Sequence, residues 1–163
     1  MIWLDLDGVM ADFDGHYERH FGVRPASWPE PDGDKWKLIS SVPNFYRTLP
    51  LMPNARDLFQ FTDELGKRIS PVLAKGHGTA FLTGCPASID ASKNQKIEWT
   101  AEHFPDVMTV CCRSRDKFLH GLPGDILIDD YLRYSERWIE MGGIFVHHTS
   151  VADTIRQLRE LVP

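Results

Sequence analysis

Short apolar runs at 2–6, 79–82, 107–111, 125–128 and 144–147 alternate along this chain with segments of helical spacing. That alternation constrains the fold more than any other feature, because it implies a parallel sheet with helices on both faces. Helices are expected at 12–21, 35–41, 93–104 and 131–141. Another starts at Asn54 as N-cap, with Ala55, Leu58, Phe59, Thr62 and Leu65 on its inner face and Gly66 as its stop. In the helix at 93–104, Ile97, Ala101 and Phe104 are expected to face the core. Val151, Ile155, Leu158 and Leu161 mark a closing helix, and 68–75 fits neither pattern.

Residues 14–50 do not follow the alternation. Pro25, Pro29, Pro31 and Gly33 give their middle a loop composition. The expected organisation is one core domain, 1–13 with 51–163, carrying a small helical cap at 14–50 inserted after the first strand. The cap aromatics Tyr17, Phe21, Trp28, Trp36, Phe45 and Tyr46 are expected mostly to fill its interior.

Composition excludes several classes of function. A formal net charge of -5 argues against a broad duplex-binding surface, which needs clustered Lys and Arg. It leaves room for a small anionic substrate. The 3 cysteines, Cys85, Cys111 and Cys112, fit neither a disulfide framework nor a zinc pattern, which points to a reducing cytoplasm. No run approaches the length of a membrane span, and no secretory leader is evident.

The chemistry collects at the carboxyl ends of the strands, where open parallel sheets bind ligands. The first strand ends in Asp5-Leu6-Asp7-Gly8 and the second in Thr83-Gly84. Arg113-Ser114-Arg115-Asp116-Lys117 follows the third, and the fourth ends in Asp129-Asp130. Crowded carboxylates raise one another's pKa and persist where a cation neutralises them. Hard carboxylate oxygens suit Mg²⁺ with water and substrate phosphate. A calcium loop starting at Asp5 fails, because Met10 and His16 occupy the positions that need Gly and Glu. His16 and His20 have the spacing of a ligand pair but no third ligand, and read as cap surface. His147 and His148 read as structural, and Cys85 as a neighbour of the crevice without a paired base.

The order and content of these motifs resemble the haloacid dehalogenase (HAD) superfamily. Its DxDGV motif matches residues 5–9, its Ser/Thr matches Thr83, its Lys matches Lys117, and its acidic pair matches Asp129-Asp130. Within the superfamily the chain is most similar to the 5'(3')-deoxyribonucleotidases, through DGVMADF, the KxxW of Lys96 and Trp99, RDK at 115–117 and LIDD at 127–130. It departs from them in having TGCP at the second motif and in its short cap.

The resemblance implies an α/β fold with a HAD-like, Rossmann-like three-layer core. It also implies a Mg²⁺-dependent phosphomonoesterase acting on nucleoside monophosphates. Asp5 would be the nucleophile and Asp7 the general acid and base. Mg²⁺ would be held by Asp5, the Asp7 carbonyl and Asp130, with Asp129 behind them. Lys117, Thr83 and Gly84 would hold phosphate oxygens. Phe13 takes the place of a base-stacking aromatic, faced by Trp36 and Phe45. A phosphatase for another small ester or for a nucleic-acid 3'-phosphate is the nearest rival. A non-catalytic module is the rival from another class, and the presence of both Asp5 and Lys117 speaks against it.

Overall fold

The computed structural model describes residues 1–25, 32–70 and 76–162. Strands β1 (Ile2–Leu4), β2 (Thr79–Gly84), β3 (Thr109–Cys112), β4 (Ile126–Asp129) and β5 (Ile144–His147) form one sheet in the order β3-β2-β1-β4-β5. Every pairing is parallel, with Leu4 opposite Phe81 on one side and Ile128 on the other. The helices are α1 (Phe13–Phe21), α2 (Asp32–Ser41), α3 (Ala55–Ile69), α4 (Ser92–His103), α5 (Ser135–Glu140) and α6 (Val151–Leu161). The expected helix at 131–141 is split into a 3-10 turn, Leu132–Tyr134, followed by α5.

Strand side chains alternate between faces, and the core divides accordingly. Ile2, Leu4, Phe81, Ile126, Ile128 and Val146 pack with Leu58, Leu65, Trp99, Phe104 and Leu158 of the α3, α4 and α6 layer. Trp3, Ala80, Leu82 and Leu127 face the other way, onto Trp138 of α5 and Phe118. A one-residue slip of any central strand would exchange these sets, so burial fixes the register.

Three local expectations need correction. Gly66 does not stop α3, which runs on to Ile69. It is glycine because the helix crosses Gly78 so closely that a Cβ would overlap that backbone. Asn54 sits at the start of α3 with φ 61 and makes no side-chain cap. In α4 the buried residues are Ser92, Lys96, Trp99 and Thr100, while Ile97 is 39% exposed and Ala101 is also exposed. Hydrogen bonding of Lys96 and Trp99, described below, overrides the apolar spacing.

After β1 the chain curls tightly. The N–H groups of Val9, Met10 and Ala11 all donate to the Leu6 carbonyl. Two antiparallel contacts then join the legs of the segment between β1 and α3, Asp12 N to Pro50 O and Met52 N to Met10 O, both 2.8 Å. Within that segment Phe45 is 1% exposed and packs against Phe13, His16 and Tyr46. His16 is buried beside Thr48, at 3.3 Å, whereas His20 is exposed. Trp28 lies outside the described residues. Among the described residues no helix is long and apolar enough to cross a membrane.

Candidate active site

The chain leaves β1 toward β2 on one side, whereas β4 lies against its other side, so these neighbours flank a topological switch point. Strand alternation sets what each presents there. Asp5 follows Trp3 and Asp129 follows Leu127 in facing the α5 side. Lys117, in the 3-10 segment Ser114–Leu119 on that side, enters between them. Its Nζ is 2.8 Å from Asp5 Oδ1 and donates to Asp129 Oδ2 at 2.7 Å. Burial works against the lysine charge, but the two carboxylates outweigh it and hold its pKa above the usual range.

Thr83 follows Phe81 in facing the α4 side. There Lys96, 1% exposed, donates to Asp7 Oδ2 at 2.7 Å, to the Gly84 carbonyl at 2.7 Å and to Thr83 Oγ1 at 3.0 Å. It also lies 5.0 Å from the centre of the Tyr46 ring. One turn on, Trp99 Nε1 donates to the Leu49 carbonyl at 2.6 Å, tying α4 to the returning leg of the insertion. Two lysines thus reach the strand ends from opposite faces of the sheet. Lys96 was missed as a site residue because a helical Lys reads as solvent-facing. Its signal is the spacing of three from Trp99, which puts both on one helix face.

Asp5, Asp129 and Asp130 can each bring one carboxylate oxygen within 4.8 Å of the others. Both Asp129 oxygens are engaged, one by Lys117 and one by the Tyr131 N–H at 2.9 Å. Asp130 is less constrained. It lies against Gly8, where φ is +79, a backbone conformation that calls for glycine. Asp130 is exposed at its outer edge, yet crowding by protein atoms, then the charges of Asp5, Asp129 and Asp7, push it up to about 8. Burial, and to a lesser degree Asp5, raises Asp7 against the opposing pull of Lys96. Asp7 Oδ1 is buried without a hydrogen-bond partner. Four carboxylates here face two ammonium groups, and the excess of negative oxygen donors fits a hard divalent cation.

A cavity of about 520 Å³ opens over these groups, with Asp5, Asp7 and Asp130 in its lining. Phe13, Trp36 and Tyr46 line it from the segment between β1 and α3. Phe45 does not, because it is consumed in that segment's interior, which corrects its expected place facing a base. Tyr46 is interior as expected, at 1% exposed, and also borders the cavity. Gly84 is in the lining, whereas the Thr83 hydroxyl is fully buried and accepts from Lys96, so it braces that lysine beneath the surface. Among the described residues His16 and His20 belong to no potential metal-binding group. His147 accompanies the Asp130 carbonyl at 3.2 Å, and His148 is buried against Thr154 at 2.8 Å.

Cys85 also lines the cavity. A hydrogen bond from Cys111, with help from Lys96, holds its pKa below the usual thiol range against the effect of burial. Iodoacetamide at neutral pH is therefore expected to alkylate Cys85 before Cys111 or Cys112. Peptide mapping checks the order, and labelling of Cys112 first would contradict it.

No protein-family model matches the chain, and no curated protein matches it either.

Proposed function

We propose that this protein is a Mg²⁺-dependent phosphomonoesterase of the HAD type, acting on a nucleoside monophosphate in the manner of the 5'(3')-deoxyribonucleotidases. The observation that carries the reading is the meeting of Asp5, Asp7, Asp129 and Asp130 with Lys96 and Lys117 at one switch point. Carboxylates alone would suit many cation sites. Two buried lysines arriving from opposite faces add the positive charge that a transferring phosphoryl group needs. Residues 14–50 then serve as the cap.

Asp5 attacks phosphorus, the P–O bond to the leaving alcohol breaks, and an aspartyl-phosphate forms. Asp7, raised above the usual carboxylate range, delivers its proton to the leaving oxygen. It then takes a proton from the water that displaces phosphate from Asp5. Lys96 holds Asp7 in place through its Oδ2 oxygen. Lys117 fixes Asp5 in place and screens it as the anionic substrate approaches. Mg²⁺ held by Asp5, Asp130 and the Asp7 carbonyl would neutralise the phosphate oxygens.

Turnover of p-nitrophenyl phosphate with and without Mg²⁺ tests the chemistry. Activity is expected with the metal and loss of it with chelator. Asp130→Asn is expected to raise the Mg²⁺ concentration for half-activity by about tenfold or more. Asp129→Asn should shift it less, since that carboxylate already serves Lys117 and the Tyr131 N–H. Inertness toward every phosphomonoester would leave a binding module in place of an enzyme.

The nucleotide part of the reading is supported by the partly exposed rings of Phe13 and Trp36 along the cavity. Stacking on an aromatic is worth about 1–3 kcal/mol per base in single-stranded complexes, or one to two decades of affinity. Phe13→Ala should raise KM for a nucleoside monophosphate far more than for p-nitrophenyl phosphate. Equal losses on both would mark Phe13 as packing, a role its contacts with Tyr17 and Phe45 also suit.

A further inference from the structure

Some arginines on this surface are closely paired with carboxylates. Arg24, Arg47 and Arg156 each have a carboxylate oxygen within 3.0 Å. Among the described residues Arg56, Arg68, Arg137 and Arg159 make no ion pair, so what sets two arginines at the crevice apart is their place beside the carboxylates. Among the described residues Arg115 reaches only Asp116, at 3.8 Å, and Arg113 makes no ion pair. Both are exposed, and both line the cavity that holds Asp5 and Asp7.

Their position follows from β3, which ends at Cys112 beside Gly84. The intervening Ser114 fits over Gly84 so closely that a Cβ there would overlap its hydroxyl. Arg113 and Arg115 therefore flank the end of β2. Phe13, Trp36 and Tyr46 line the same cavity from the segment between β1 and α3. In a chain of net charge -5, two guanidinium groups without a close carboxylate beside the reacting carboxylates call for an anion. The guanidinium fork matches phosphate oxygens in pairs.

We propose that Arg113 and Arg115 form a second anion subsite, and that the ester hydrolysed at Asp5 carries a second phosphate on its leaving group, as nucleoside bisphosphates do. The proposal rests on the phosphatase reading above and narrows its substrate. A phosphate on the far side of the sugar would meet the arginines while the base meets the aromatic residues. The acidic balance of the chain favours such a small polyanion over a long nucleic-acid strand.

The test compares kcat/KM for thymidine 3',5'-bisphosphate, thymidine 5'-monophosphate and p-nitrophenyl phosphate, using the full chain with Mg²⁺. The wild type is expected to prefer the bisphosphate over the monophosphate by about tenfold or more, and the preference should fall as salt rises. Arg113→Gln with Arg115→Gln should remove most of that ratio. Circular dichroism establishes that the double variant is folded, and the single variants provide the same ratio if it is not. Equal use of the two nucleotides by the wild type would overturn the subsite, as would a ratio unchanged in the variants. Faster turnover of a 5'-phosphorylated oligonucleotide would overturn the small-molecule assignment. Inertness toward p-nitrophenyl phosphate and toward both nucleotides would remove the phosphatase reading. Calorimetric binding of the two nucleotides to wild type and variant would then still decide the subsite: tighter bisphosphate binding that depends on the arginines supports it, and equal binding overturns it.

Discussion

Asp5→Asn is expected to lower phosphoester turnover by about a thousandfold or more while leaving the fold intact. The amide cannot accept a phosphoryl group, and no neighbouring carboxylate occupies its place. Asp7 is committed to Lys96, Asp129 to Lys117 and the Tyr131 N–H, and Asp130 sits over Gly8. Asparagine keeps an oxygen for Lys117, so the buried ammonium retains an acceptor as well as the Asp129 charge. Removing one negative charge from a crowded group should also relieve its neighbours, because the Asp5 charge raises Asp7, Asp129 and Asp130. The folded pKa values of these carboxyls should therefore fall toward their unfolded values. The variant should lose less stability than wild type as pH rises through the range where they ionise. Acid-quenched wild type should carry a phosphoryl adduct on Asp5 in peptide mass spectra, and the variant none. Turnover within a few-fold of wild type would eliminate the covalent mechanism.

The parts of the fold legible in the sequence are those where apolar burial acts unopposed. Strands buried on both faces appear as apolar runs, and their alternation with helices yields the parallel sheet. The grouping of Asp5 with Asp129 and Asp130 follows, since parallel strands bring their carboxyl ends to one edge. What the sequence conceals is competition between burial and other interactions. Ile97 and Ala101 have core spacing, yet α4 turns Lys96 inward because Asp7, Thr83 and the Gly84 carbonyl together satisfy its ammonium. Gly66 resembles a helix stop until Gly78, distant in sequence, is seen to need the space. Phe45 and Tyr46 are neighbours of similar hydrophobicity. Both are buried, and only the direction of the chain at that point lets Tyr46 border the cavity as well.

Lys96→Met should be the most damaging change to stability at the site. The lysine is 1% exposed and satisfies three acceptors, two of them from β2 and one from Asp7. Methionine fills a similar volume, so the loss is electrostatic and not a cavity. Breaking a buried pair by removing one partner typically costs about 3–5 kcal/mol, because the other charge stays behind. Asp7 retains 28% side-chain exposure, which places the expected loss near the lower end, about 3 kcal/mol. The pH dependence has a definite sign. Without Lys96 the Asp7 pKa should climb further above its unfolded value, so the folded state holds a proton that the unfolded state releases. The deficit should then be small at acid pH, where Asp7 is protonated in both states, and grow as pH rises through its titration range. Adding Asp7→Asn to Lys96→Met should recover part of the stability, since the abandoned charge is gone. Urea unfolding of wild type, the two single variants and the double variant measures the coupling directly. Simple additivity of the two losses would mean that Lys96 stabilises the fold through Thr83 and Gly84 alone, and that Asp7 owes its position to the turn after β1.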